Sequence, residues 1–307
     1  MSGIRLIAFP GAPNLPLFTA IEKGFFEEAG VNVELETTPS SSYQIESLVA
    51  GRYDLAATAF DNVVAYRDGQ GAVEFASPPD LFAFLGATRL ELSFVVAPEV
   101  GDYEDVRGGT LALDALGTGF AFVLYEMLRQ AGLDAGDYDA VPVGATPQRW
   151  ESVKSGEHLG TLTIEPFTSI ALANGFRVLA SSGDLFEHYQ GGIFATSRGW
   201  AERHEDELLS FIRGYLRGLE WTLDPRNYDE GAARLQRNMP AIKAAFVDAV
   251  MAKLLAAETG LTPGGEFDLE GVETVLELRG RYGRPERRLG GAERYLDQRY
   301  LERARAS

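Results

Sequence analysis

A β-α-β recurrence that begins almost at the first residue constrains this chain more than any other feature. "GIRLIAFPG" (3–11) reads as a buried strand stopped at Pro10-Gly11, and residues 15–29 read as a helix whose Leu17, Ala20, Ile21 and Phe25 share an apolar stripe. After Gly30, "VNVELE" alternates as a second strand. Two strands joined through a helix call for a crossover and favour parallel pairing, so helices must cover the sheet. The unit then repeats. "SSSYQIESLVAGRYDLAATAFDNV" carries a serine cap, a helix through about Ala50, a turn at Gly51, the strand "DLAATA" and another helix from about Asp61.

Further along, "LFAFLGATR" and "LELSFVVAPEV" are apolar strand-like runs leading out of the first unit. "GGTLALDALGTGFAFVLYEMLRQAG" supplies a strand, a Gly-rich turn and a helix; "DAVPVG" reads as a strand, "TPQRWESVKSG" as a short helix, and "GTLTIEP" as a strand ending before a proline. "GGIFATSRGW" reads as a return strand. Amphipathic segments follow at roughly 200–224, 228–237, 240–257 and 268–278. At 307 residues and 45% hydrophobic composition, two domains around substantial cores are expected.

Charge and residue usage narrow the function. With 28 basic against 45 acidic side chains the formal charge is -17, which repels polyanions, so no nucleic-acid partner is expected. Zero cysteines exclude disulfides, thiolate metal sites and thiol nucleophiles. The three histidines, His158, His188 and His204, form no metal-ligand pair, and no metal centre is expected. No apolar stretch of about 20 residues indicates membrane insertion. The start, "MSGIRLIAFPG", lacks a basic leader and an apolar h-region, which fits either a leaderless protein or a mature segment carrying a new Met.

The order of these motifs resembles the substrate-binding proteins of the nitrate, sulfonate and thiamine-precursor uptake group, the NMT1/THI5-like or SsuA-like family. The resemblance rests on "NLPLFTAIEKGFFEEAGVNVEL", "ESLVAGRYDLAATAFDNV", "YEDVRGGTLALDALGTGFAFVLYEMLRQAGL", "SVKSGEHLGTLTIEPF" and the terminal "LDQRYLERA", which together span nearly the whole chain. It implies a periplasmic-binding-protein-like type II fold: two mixed sheets flanked by helices, with a cleft at a two-strand hinge. Residues 1–92 with 193–307 would form one lobe and 93–192 an inserted second lobe. Where the family commonly has an aspartate two residues after the Gly-Glu of the later motif, this chain has Leu159, which bears on strand packing or the rear wall of a pocket.

Candidate ligand-binding residues follow from strand ends, helix starts and this resemblance. Pro10, Gly11 and Asn14 lie in the loop that the resemblance places in the cleft; Asn14 either contacts ligand or caps a helix. Ser41, Ser42 and Tyr43 open a helix, where hydroxyls and free N–H groups hold an anion or a carbonyl, and Tyr43 offers a ring to a planar ligand. Thr58, Phe60 and Asp61 lie at a strand end facing the crevice, with Asp61 either accepting from a ligand amine or capping its helix. Asp114, Leu116, Gly117, Thr118 and Gly119 form a candidate clamp whose "GTG" lacks phosphate-loop and dinucleotide spacing, so no cofactor is expected. Glu165 before Pro166 is a cleft candidate by resemblance, or else a hinge or interlobe salt bridge. His188 is a further candidate, with Trp150, Phe186 and Tyr189 as aromatic ones or else core residues, and Arg89 and Arg149 as carboxylate or sulfonate partners or else members of surface ion pairs.

The expected function is non-catalytic capture of a small polar organic solute, nitrogenous or aromatic, for ABC-type uptake. A permease partner and a monomeric state are expected with it, and the location is periplasmic or cell-envelope if a leader was removed and cytoplasmic otherwise. Two alternatives stay open: a cytoplasmic enzyme on the same scaffold, using Asp61, Glu165 and His188 as acid-base groups, and a ligand sensor. The cysteine-rich motif of the family's thiamine-pyrimidine synthases has no counterpart here.

Overall fold

The computed structural model describes residues 2–89 and 91–306. The chain opens with β1 (Ser2–Ala8), α1 (Leu15–Glu22), α2 (Phe25–Glu28), β2 (Val31–Thr37), α3 (Ser41–Val49), β3 (Leu55–Ala59), α4 (Phe60–Arg67) and β4 (Leu81–Gly86). It continues through β5 (Ser93–Val96), β6 (Thr110–Leu113), α5 (Gly119–Gln130), β7 (Asp139–Pro142), α6 (Thr146–Lys154), β8 (Gly160–Thr163), α7 (Phe167–Ala173) and β9 (Arg177–Ser181). After β10 (Gly192–Ser197) it is helical: α8 (Arg198–Arg203), α9 (Glu205–Leu223), α10 (Tyr228–Asn238), α11 (Val247–Leu254), α12 (Leu269–Tyr282) and α13 (Arg299–Ala306).

These strands form two five-stranded mixed sheets, ordered β2-β1-β3-β10-β4 and β7-β6-β8-β5-β9. Each has three parallel strands followed by an antiparallel one, β10 in the first and β5 in the second. The chain therefore crosses between sheets twice, from β4 to β5 and from β9 to β10. The crossings run side by side: Thr88 and Gly192 exchange backbone hydrogen bonds at 3.1 Å, and the Leu92 N–H donates to Ser182 Oγ at 3.0 Å. This is the two-strand hinge of a type II binding-protein fold.

Alternation explains why the strands are so apolar. In β1, Ile4 and Leu6 enter one core cluster while Ile7 enters the other; in β4, Phe82 and Phe84 face one and Leu81 and Ala83 the other. A sheet buried on both faces needs apolar residues at odd and even positions alike. α9 shows the helical version, burying Leu208, Phe211, Ile212, Tyr215 and Leu219 and placing Glu205, Asp206 and Glu207 in its first turn, where the macrodipole favours them.

The structure corrects several expected elements. The helix read over 15–29 is two, because Gly24 adopts φ 72°, a left-handed conformation that ends α1. The segment 200–224 breaks at His204 into α8 and α9, and 240–257 is α-helical only over Val247–Leu254. α7 and β9, within "PFTSIALANGFRVLAS", were not expected as elements; both are short, and β9 is half-exposed, so neither shows a clean period.

Candidate functional site

Between the two sheets lies a cavity of about 100 Å³. The first sheet contributes the β1–α1 loop, the start of α3, the end of β3 and the hinge residues Thr88 and Gly192; the second contributes Asp114, the first turns of α5 and α6, and Ile164. Much of the wall is apolar, from Phe9, Leu17, Phe120, Ile193 and Phe194. Three helices, α3, α5 and α6, present their N-terminal turns to it, where backbone N–H groups have no intrahelical partner.

Of the expected residues, Gly11, Asn14, Ser41, Thr58, Asp114, Thr118, Gly119 and Arg149 line this cavity. Asn14 spends its Nδ2 on the Phe9 carbonyl at 2.8 Å, shaping the loop and leaving its amide oxygen as the free group. The Ser41 N–H donates to both oxygens of Asp114, at 3.3 and 3.2 Å, so a carboxylate of the second sheet caps a helix of the first. The Ser41 hydroxyl itself is buried with no hydrogen-bond partner. Thr58 accepts from Asn62 Nδ2 at 2.8 Å and keeps its own proton to donate. Thr118 caps α5, accepting from the Ala121 N–H and donating to the Ala115 carbonyl, which occupies its hydroxyl. Gly119 is required by packing: a Cβ there would stand 2.6 Å from Asp61 Cβ.

The other expected residues are placed outside the cavity wall. Asp61 is 1% exposed and is held by Arg279, which donates from Nε and Nη2 at 2.5 Å each. Phe60 is fully buried and meets Tyr295 edge to face. Gly117 turns its carbonyl to Arg279 Nη2 at 2.7 Å, and Leu116 is exposed. Pro10 and Ser42 flank lining residues without joining them, and Tyr43 faces outward under the Arg52 guanidinium. Glu165 lines a smaller cavity of about 30 Å³ beside Thr88, Glu91 and Lys253. Burial pushes its carboxyl up, and Lys253 Nζ stands 3.6 Å away. His188 sits between Asp268 and Glu270, at 3.1 and 2.9 Å, and these carboxylates raise its pKa, Asp268 foremost. Trp150 packs against Phe176, Phe186 against Tyr189, and Arg89 pairs with Asp268 at 3.4 Å. Leu159 fills the space beside Gly109, away from the cavity. Asp61, Glu165 and His188 are thus not brought together.

Arg149 is the strongest feature of the wall. It is 2% exposed and donates to Thr161 Oγ1 (3.0 Å), the Gly144 carbonyl (2.8 Å), Thr146 Oγ1 (3.1 Å) and the Leu162 carbonyl (3.0 Å), with no carboxylate in contact. Burial lowers its pKa to about 10, opposed by the field of Asp114, so it stays cationic at neutral pH. Phe9, Asn62, Thr88, Phe120, Thr146 and Ile164 were not expected in the site. The strand-end and helix-start rule that found Thr58 and Ser41 applies equally to Thr88, after β4, and Thr146, the first residue of α6. Among the described residues no cluster of His, Asp or Glu could hold a metal, and no helix is long and apolar enough to cross a membrane.

Contacts between the two sheets surround the cavity. The Ala12 N–H donates to the Glu165 carbonyl and the Ala145 N–H to the Pro39 carbonyl, each at 3.0 Å, and Arg279 ties Asp61 to Gly117. Two mixed sheets, a paired hinge and a cavity between them define a two-lobed binding-protein fold of type II. A family model described as the NMT1-like family matches residues 3–236, and the chain belongs to that family. The Bacillus subtilis (strain 168) protein YtlA, provisionally named a binding protein, is 23% identical over 211 residues; the match spans 67% of this chain but only 61% of YtlA. The periplasmic nitrate-binding protein NrtA from Synechocystis PCC 6803 superposes with a TM-score of 0.81 at 14% identity, covering 99% of this chain and 88% of its own. The alkanesulfonate-binding protein SsuA from Xanthomonas axonopodis pv. citri, bound to MOPS, gives 0.76 at 16% identity, covering 96% and 98%. At these identities the likeness is one of fold.

Proposed function

We propose that this chain captures a small polar organic solute between two closing lobes and delivers it to an ABC-type permease. The lobes in this reading are residues 1–92 with 193–307 and residues 93–192. The observation that carries it is the cavity between the sheets, where a buried Ser41 hydroxyl lacks any partner and a buried Arg149 lacks any carboxylate. Buried polar groups of this kind are unfavourable unless something satisfies them, and a ligand would do so. A volume of about 100 Å³ suits a compact solute, being well above the roughly 15 Å³ that one buried water needs.

The candidate binding residues in this reading are Asn14, Ser41, Thr58, Asp114, Thr146 and Arg149. Solute contacts to both sheets would favour the closed state, and the permease would read that closure. Family membership and the likeness to NrtA and SsuA support ABC uptake with a periplasmic or cell-envelope location, and a monomer is the form this reading assigns to the protein. The test is native mass spectrometry of gently purified protein before and after denaturation. A released compound that rebinds saturably and unchanged supports capture; a bound compound that is chemically converted sinks it.

A further inference from the structure

Two charged residues, Asp114 and Arg149, are found among the side chains lining the cavity. They do not pair. Arg149 has no carboxylate within salt-bridge reach, and Asp114 meets the Ser41 N–H. The cavity therefore holds one positive and one negative charge apart, with apolar walls from Leu17, Phe120 and Phe194 around the space they share.

This arrangement discriminates by charge. A simple anion would gain Arg149 and the helix N-termini, but it would share a desolvated space with Asp114 and leave the closed cavity with net negative charge. The N-terminus of α3, otherwise the natural seat for an anion, is already taken by Asp114. A simple cation meets the reverse problem at Arg149. A solute carrying both signs leaves the buried charge balanced and satisfies each residue with its opposite.

Resting on the capture reading, we propose that the ligand is a dipolar solute: a compact apolar or aromatic body with an ammonium or other N–H donor facing Asp114 and a carboxylate or sulfonate facing Arg149. At the acid end, Arg149 has one Nη1 proton uncommitted, and Thr146 Oγ1, which accepts from Arg149, is left with its hydroxyl proton to donate. At the donor end, the Ser41 hydroxyl lies next to the N–H that holds Asp114 and is itself without a partner.

The experiment is calorimetric titration of the intact protein with β-alanine, γ-aminobutyrate, δ-aminovalerate and (aminomethyl)benzoate, each against analogues lacking the amine or lacking the acid. At least one dipolar compound should bind about tenfold or more tighter than both of its singly charged analogues, the scale of one charge-assisted contact. Asp114→Asn should erase the preference over the acid-only analogue. A wild-type preference for an acid-only or amine-only analogue, or no binding across the series, overturns the assignment, and this ranking needs no variant. Should native spectra meanwhile show an unconverted, non-dipolar solute, capture stands and the dipolar class falls; conversion of the solute overturns capture itself.

Discussion

Replacing Arg279 with Met tests how the two halves of the cavity are held together. Arg279 is fully buried and serves three acceptors: the Asp61 carboxylate on α4, the Gln70 carbonyl at 3.2 Å and the Gly117 carbonyl at 2.7 Å in the loop before α5. Its guanidinium also lies 4.5 Å from the Phe122 ring, a contact that a thioether can keep in part. Removing it leaves Asp61 ionised and unpaired in the core, which costs about 3–5 kcal/mol, and orphans two carbonyls at about 1 kcal/mol each. Allowing for partial relaxation, Arg279→Met should lower unfolding stability by about 4–6 kcal/mol, a large part of the ~5–15 kcal/mol typical of a domain. Adding Asp61→Leu removes the stranded charge, so the double variant should lose only about 2 kcal/mol. Urea unfolding followed by circular dichroism and tyrosine fluorescence, with coincident transitions required, gives the cycle. If the single variant loses less than about 1 kcal/mol, or the double variant is no more stable than the single, the ion pair is not what ties α4, α12 and the α5 loop together.

Ser41→Ala should leave unfolding stability within about 0.5 kcal/mol, because the hydroxyl bonds to nothing in the protein, while weakening solute binding about tenfold; chemical denaturation and calorimetry read the two separately. Gly119→Ala puts a Cβ 2.6 Å from Asp61 Cβ, whose side chain is held by Arg279, and should cost about 1–3 kcal/mol together with a loss of affinity, read by thermal unfolding and titration. Glu126 on α5 accepts from Arg129, Gln130, Arg281 and Tyr282, and Arg129 foremost, with Tyr282 and Gln130, lowers its pKa to about 2 from the ordinary 4.5. Because the unfolded chain binds the proton first, this contribution is full above pH ~5 and is lost as pH falls toward 2. The stability gap between wild type and Glu126→Gln, about 3 kcal/mol by linkage and roughly 2 kcal/mol at neutral pH once solvent screening of the partly exposed arginines is allowed for, should close over that window in acid titrations monitored by circular dichroism.

Much of the architecture could be read from the chain because parallel strands and their covering helices each carry a local period. β1 to β4, β6, β8 and β10 all overlap segments read as strands, while the expectation of two mixed sheets came with the family resemblance. β9 and α7 were missed for the opposite reason: a half-exposed edge strand and a two-turn helix give too few residues to show a period. The break at Gly24 is local too, but a glycine inside an amphipathic run reads the same whether it is a tolerated interior residue or a left-handed stop.

The site was partly legible, and the division has a physical basis. Strand ends and helix starts pointed to Ser41, Thr58, Asp114 and Gly119, because backbone geometry alone fixes where those positions lie, and the family resemblance pointed to the loop of Asn14. What a side chain does there depends on its partner, and partners can be anywhere. Asp61 at the start of α4 looks the same whether it awaits a ligand amine or an arginine 218 residues further on, and the arginine is what it meets. Arg149 errs in the other direction. A guanidinium on an amphipathic helix is ordinarily a surface group, yet α6 lies with Arg149 turned inward, because Thr161 and the carbonyls of Gly144 and Leu162 offer its N–H groups acceptors that water would otherwise supply. Those acceptors, with Thr146, take all but one of its N–H groups and leave the charge unbalanced. In a chain with 45 acidic residues, a buried guanidinium left without a carboxylate therefore points to the cavity it lines, and the counter-charge it lacks is the one a ligand would bring.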